Sequence, residues 1–461
     1  MAISCLRCGS HLKFMLFYSL LIIVFLSPLP YGANRVWSWS LAASLIALLG
    51  ILWASNYLIK KRVRPFHASF AIADIILVFL LVLLWIIAQQ LAILPKLSHP
   101  LWQLHNALLA NAGEFISLSL DNTLVFFMRY LSYGMVFWLS LCYAQRSFYA
   151  HKIVYVFTLA GFSYSLYGLL MLFSPRPASP ALQSLSSTFI NHNHFASFAG
   201  LSLLCCAALL YETMLSACSG RQLTLAAFLE RLIKRTWFLL IAFMVIASAL
   251  VLTHSRGGFL SSLLAFMVLI GALAVNKRAR NRFMLRFFML FIALGGSIFL
   301  ITRTGLINRL QLMALSDPLR EQVYGATWQA ILTNPYLGFG AGSFAQAFPL
   351  YKTPALAGSI GYPLLWDYAH NVYLEIAFDL GLPAAIALCY CFLRLNFICL
   401  KGLFIRKKDW VYSALGLSAS VLIGLHSLVD FSLQIPAIAY CYALLMGACC
   451  AQSFSSRGHL K

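Results

Sequence analysis

The sequence predicts an all-α integral membrane protein of about twelve transmembrane helices, with both ends of the chain cytoplasmic and a large outer loop before the tenth span. Three observations carry that expectation. Of 461 residues, 62% are hydrophobic and only 10% charged, with a mean hydropathy of +0.84, whereas a soluble domain has about 25% charged residues. Apolar runs of about 17 residues or more recur along the whole length, each enough to cross roughly 30 Å of hydrocarbon as a helix. Lys and Arg gather in alternate connections, as they do where cations stay on the cytoplasmic side.

Lipid offers backbone groups no partners, so segments that satisfy their own hydrogen bonds are the economical way across. The spans fall near residues 12–30, 37–59, 70–94, 122–144, 151–173, 193–211, 236–253, 258–276, 285–302, 370–394, 411–430 and 434–451. The first run, Phe14–Leu29, has no convincing small-residue cleavage site after it and reads as a span rather than a removed signal. Inner connections hold Lys60, Lys61, Arg62 and Arg64, then Arg221, Arg231, Lys234 and Arg235. Further on they hold Lys277, Arg278, Arg280, Arg282 and Arg286, then Arg406, Lys407 and Lys408. The net charge of +21 therefore reads as topology and attraction to an anionic lipid bilayer, with no nucleic acid partner required. All twelve cysteines fall in spans or on the inner side, so no disulfide framework is implied. Cys5 and Cys8 form C-x-x-C without a second pair or a nearby His, which favours reduced thiols over a metal site.

The chain reads as one membrane domain, 1–461, with a loop subdomain at 303–369 between the ninth and tenth spans; 95–121 and 174–192 are the other long outer connections. In the large loop Ser316 and Asp317 can cap a helix, Pro318 suits its first turn, and Asn334-Pro335 should end it. Arg320, Tyr324 and Trp328, four apart, share one face. PYLGFGAGSF follows, a Gly-rich segment without the spacing of a nucleotide P-loop. Its glycines fit either close approach to a ligand or tight packing.

Against so few charges, outward cations stand out. Arg256 lies in THSRGG, where Gly257 and Gly258 allow close backbone approach beside a planar cation; an arginine snorkelling to headgroups is the plainer alternative. Arg320 lies on the loop helix, with Arg303 and Arg309 just before it. In DYAHNVYLEIAFDLGLP, His370 tops a polar stripe of Asn371, Glu375 and Asp379 descending into the tenth span. A histidine at the water boundary can serve as a general base near neutral pH, while Glu375 and Asp379 read as organising the bundle by pairing with polar groups of another span. Asn191, His192, Asn193 and His194 open the sixth span, and His426 and Asp430 end the eleventh. His192 and His194 diverge on a helix and no outer carboxylate cluster joins them, so neither a metal nor another cofactor is expected. Arginine forks, a histidine, amides and a glycine-rich loop suit an anionic phosphate or diphosphate ligand, and guanidinia can stabilise a diphosphate leaving group without Mg²⁺.

These segments resemble the O-antigen ligase/polymerase superfamily, bacterial membrane glycosyltransferases that use undecaprenyl-diphosphate-linked glycans. The resemblance rests on STFINHNHFA, THSRGGFL, and the block from REQVYGATWQAILTNPYLGFGAGSF through AHNVYLEIAFDLGLP, with HSLVDFSLQIP typical of a subgroup. It covers most of the C-terminal two-thirds; residues 1–150 contribute topology and little else. It implies a multi-pass protein of the bacterial inner membrane whose active site faces the periplasm, and a metal-independent, inverting transfer. It implies that Arg256 and Arg320 hold the diphosphate and that His370 activates the acceptor or steadies the departing group. Asn193, His194, Asn371 and Asp430 would shape the substrate site, with Asn191, Glu375 and His426 beside them. The donor would be an undecaprenyl-diphosphate-linked glycan and the acceptor another glycan, a lipid A core or a protein, so ligase and polymerase both stay open. A transporter or flippase of lipid-linked sugars is the alternative, for which Asp74 and Arg129 are the residues to use. A bundle-stabilising Asp74–Arg129 pair is the plainer account of them. No clear internal repeat supports transport, and the polar groups gather at the outer rim, so the enzyme is preferred.

Overall fold

A computed structural model describes residues 2–59, 71–92, 95–108, 113–174, 184–218, 225–275, 318–359, 362–363 and 365–454. The expected ninth span, Arg303, Arg309, the Ser316/Asp317 cap and the basic clusters at 60–64 and 277–286 lie outside them, as do the side chains of Cys5 and Cys8. The helices are α1 (Ala2–Leu26), α2 (Val36–Ile59), α3 (Ala73–Ala88), α4 (Pro100–Leu108), α5 (Leu120–Tyr143), α6 (Ser147–Phe173) and α7 (His192–Cys218). They continue with α8 (Leu225–Leu252), α9 (Arg256–Val275), α10 (Pro318–Thr333), α11 (Val372–Leu380), α12 (Leu382–Ile405), α13 (Trp410–His426) and α14 (Pro436–Ser453). Among the described residues the β structure is a two-residue antiparallel pairing, Gly358–Ser359 with Tyr362–Pro363.

Among the described residues seven helices are long and apolar enough to cross a membrane, and four more apolar stretches are shorter: Leu12–Leu26, Ala73–Ala88, Thr236–Leu252 and Trp410–His426. Their apolar residues face both inward and outward, as Leu84 and Leu393, each 60% exposed, illustrate; such all-round apolar helices suit a lipid surround. Helices without a hydrophobic drive between them associate through close packing at small residues. On α14, a Cβ at Gly447 would stand 2.5 Å from the Phe137 carbonyl of α5, and Ser140 of α5 donates to Leu444 O at 2.5 Å. One continuous core runs through α1–α3, α5–α9 and α12–α14. A second cluster lies under the loop, where Val323, Phe339, Phe344, Phe348 and Leu356 pack on Phe378 of α11.

Two expectations need correction. The tenth span is broken: α11 stops at Leu380, Gly381 takes φ +82, and α12 begins at Leu382. A helix end leaves carbonyls without partners, and the Gly-rich segment supplies them. Phe339 N donates to Phe378 O at 3.0 Å and Gly340 N to Asp379 O at 2.9 Å. From α3, Trp85 Nε1 donates to Leu380 O at 2.9 Å and the buried Gln89 to Leu337 O at 2.8 Å. Gly338 is required here: its φ is +69, and a Cβ would lie 2.5 Å from both Asp379 O and Gly381 N. These glycines therefore serve backbone-on-backbone packing. The second correction concerns Asp74, which pairs with Arg394 of α12 at 2.9 Å and accepts from Tyr390 Oη at 2.7 Å. Arg129 instead lies over the Trp39 ring, 5.0 Å from its centroid.

Candidate active site

The turn from Leu425 to Phe431, joining α13 to α14, gathers residues from four directions. At its start, His426 is 1% exposed and its Nδ1 lies 2.6 Å from Ser197 Oγ of α7. The first turn of α9 rests on the same residue. A Cβ at Gly257 would come 2.8 Å from Val429 Cγ2 and 3.2 Å from His426 Cδ2, and one at Gly258 would stand 2.5 Å from Ala196 Cβ. The paired glycines thus seat α9 against α7 and the turn. In doing so they fix Arg256, exposed at the first residue of α9.

From α7, Asn191 precedes the first turn and accepts from Asn193 N at 2.8 Å, a side-chain cap. Asn193 Nδ2 lies 3.5 Å from Asp430 Oδ1, and His194 Nε2 lies 3.7 Å from Asp430 Oδ2. Asp430, 1% exposed, also accepts from Ser432 Oγ. The His194 ring stands edge-on to Phe431, with centroids 4.6 Å apart. His192 is half-buried on another side of the helix.

The loop arrives third. Arg320 Nη1 of α10 donates to Val429 O at 2.9 Å, and one helical turn on, Tyr324 Oη donates to His370 O at 3.0 Å. Trp328, on the same face, is 44% exposed. Fourth is the start of α11. Asn371 caps it, accepting from Tyr373 N at 3.0 Å and Leu374 N at 3.1 Å, while its Nδ2 donates to Leu428 O at 3.0 Å. Val372 N donates to Ser427 O at 2.9 Å. His370 sits between these anchors with φ +55, a left-handed conformation that a non-glycine residue holds only when its surroundings impose it. Two contacts impose it: the Tyr324 bond to its carbonyl and the bond from Ala369 N to Glu375 Oε2 at 2.9 Å. The His370 ring meets the face of Phe431 at 4.9 Å, and Tyr368 stacks on Phe431 at 4.1 Å with planes 8° apart.

Among the described residues Glu375 and Asp379 pair with loop amides rather than with polar groups of another span. Glu375 accepts from the loop amide of Ala369, and Asp379 Oδ2 accepts from Gly342 N at 2.8 Å. Both are within 3% of complete burial.

The structure therefore brings Arg320, His370, Asn371, Asn193, His194, His426 and Asp430 onto one turn, with Arg256 beside it. Asn191 and Glu375 stand one layer back, holding α7 and the His370 backbone. Sequence reasoning passed over Phe431 and Tyr368, the aromatic pair between the histidines, although both adjoin motif residues. Tyr324 was legible only as sharing a helix face with Arg320. Among the described residues no three His, Cys, Asp or Glu side chains group as metal ligands. The arrangement offers two guanidinia, a backbone-constrained imidazole and a carboxylate–imidazole pair around an aromatic wall.

Residues 240–389 match the family model described as O-antigen ligase. That range takes in THSRGGFL and the whole block from Arg320 to Pro383, while Ser187–Ala196 and His426–Pro436 lie outside it. No curated protein matches the chain significantly.

Proposed function

We propose that this multi-pass membrane protein, which carries a domain of the O-antigen ligase/polymerase superfamily, transfers a glycan from a lipid-diphosphate donor to a hydroxyl acceptor at the loop-bearing end of its bundle. The observation that carries the reading is the convergence of Arg256, Arg320, His194 and His370 on the Leu425–Phe431 turn. In this reading the donor is undecaprenyl-diphosphate-linked, already activated, and met on the periplasmic face of a bacterial inner membrane.

The acceptor oxygen forms a bond to the anomeric carbon while the bond from that carbon to the diphosphate oxygen breaks. The hydroxyl proton passes to the His370 imidazole. Negative charge gathering on the diphosphate is met by Arg256 and Arg320, whose forked donors match phosphate oxygens; the bond from Arg320 to Val429 O sets the guanidinium beside the turn. Attack opposite the leaving group inverts the anomeric centre. Asp430 and Phe431 orient His194 toward the sugar, and Tyr368 extends the aromatic wall along it. Two guanidinia supply the cationic charge, so the scheme calls on no metal.

A broken helix such as α11–α12 is the kind of feature a transporter uses to bind ions through bare carbonyls. Here the carbonyls of Phe378, Asp379 and Leu380 are all accepting hydrogen bonds, which favours the enzyme.

The test uses purified protein in lipid vesicles with an undecaprenyl-diphosphate oligosaccharide, read by mass spectrometry beside His370→Ala. A ladder in multiples of the repeat, lost in the variant, marks a polymerase. Product that forms only once lipid A core or a protein acceptor is added marks a ligase. Intact donor under both conditions rejects glycan transfer.

A further inference from the structure

Among the described residues Arg129 has no ion-pair partner. It is the tenth residue of α5, roughly 14 Å along the helix from its loop-bearing end, a depth at which an unpaired charge is costly and usually marks a site. Asp74, its expected partner, is taken by Arg394. Among the described residues neither Glu375 nor Asp379 pairs with Arg129; they accept from Ala369 N and Gly342 N. Among the described residues Arg129 Nε is buried and has no hydrogen-bond partner.

Its neighbours repeat the pattern. Trp39, under the guanidinium, is 3% exposed with its indole Nε1 unpartnered. Tyr133, one helical turn along, has a buried hydroxyl that is likewise unpartnered. By contrast, the adjoining Tyr440 hydroxyl is matched with Ser132 Oγ at 3.0 Å. Burying a donor without an acceptor costs free energy, so three such donors side by side call for a common acceptor. A sugar would call for donors and acceptors mixed. A guanidinium, an indole N–H and a phenol call for an anion whose oxygens only accept.

Access favours a lipid. On the same helix Leu124, Met128 and Leu131 are 45–46% exposed, an apolar flank on which a hydrocarbon tail can lie.

We propose that Arg129, the Trp39 indole N–H and the Tyr133 hydroxyl form a binding site for a phosphate group borne by a lipid. The donor diphosphate and a resident phospholipid share that chemistry. The site rests on the glycan-transfer reading only for the choice between them.

Full-length protein in neutral detergent is titrated with geranylgeranyl diphosphate, with phosphatidylglycerol and with phosphate-free diacylglycerol, and binding is read by native mass spectrometry. R129Q is expected to weaken one or both phosphate lipids by about tenfold or more and to leave diacylglycerol unchanged, with R129K intermediate. W39F and Y133F each weaken the same lipid about threefold. A loss confined to the diphosphate names the donor headgroup as occupant, and a loss confined to phosphatidylglycerol names a resident phospholipid; both support the site. R129Q binding every lipid as wild type does overturns it. Should R129Q fail to fold, unchanged affinity in both W39F and Y133F overturns it instead. Failure of transfer in the vesicle assay would not move this readout, so the two proposals fall separately.

Discussion

Replacing Glu375 by alanine is expected to damage the site without touching a substrate. The side chain is 3% exposed and its Oε2 accepts from Ala369 N, itself completely buried. Alanine leaves that N–H unsatisfied, at a cost of about 1–3 kcal/mol. The same bond holds the residue before His370, whose φ of +55 stores about 1–3 kcal/mol of strain that only an enforced conformation retains. Once released, the backbone relaxes and the imidazole moves; a displacement of about 1 Å at a reacting group lowers rate by about a hundredfold. Glutamine behaves differently. Its amide oxygen can accept the same bond from Ala369 N. E375A is therefore expected to lose thermal stability and about a hundredfold in transfer, while E375Q stays within about tenfold. Detergent-solubilised variants would be compared by thermal unfolding and by turnover of the lipid-linked donor. An E375Q as impaired as E375A would show that the charge matters, and a fully active E375A would show that the Ala369 bond does not position His370.

Gly338→Ala places a methyl group 2.5 Å from the backbone at Asp379 and Gly381 in a left-handed conformation. A loss of about 2 kcal/mol or more, seen as lowered yield and melting temperature, is expected. Asp430→Asn should preserve the fold yet lower transfer by about tenfold or more, since the amide cannot hold His194 as a carboxylate does; wild-type turnover would remove that pair from the scheme. Arg394→Gln disrupts a partly exposed ion pair remote from the turn. It should shift stability by about 1 kcal/mol or less and leave transfer intact, as turnover in vesicles would report.

Much of the helical plan was legible because membrane spans announce themselves through length and hydropathy alone. Eleven of the twelve expected segments meet a helix, at 12–26 through 436–453, and the ninth lies outside the described residues. The break at Gly381 was not legible: AFDLGLP keeps its apolar character across the break, and what stabilises the separated ends is amide donation from a segment some forty residues earlier. Partners of buried charges were also hidden. Asp74 could be seen to need a cation, but sequence spacing cannot choose between Arg129 and Arg394 on different helices. Glu375 and Asp379 misled for a related reason, since their partners are backbone amides, which leave no residue-type signal. The motifs that converge on the Leu425–Phe431 turn were readable because scarce polar residues in an oily chain stand out individually. Phe431 and Tyr368 did not, being two aromatics in a sequence with 36 Phe and 21 Tyr.

The loop docks on the Leu425–Phe431 turn in a one-sided way. The donors come from the loop and the start of α11, as Arg320, Asn371 and the Val372 amide, while the acceptors are the main-chain carbonyls of Val429, Leu428 and Ser427. A carbonyl is present whatever the side chain, so the receiving surface is written in shape rather than in residue identity. Loops of different length and composition could be grafted onto this bundle and still register correctly, provided an arginine and an asparagine arrive in the same places. Acceptor preference could then change by exchanging the cover while the chassis beneath it, anchored on the deeply buried α14, stays as it is.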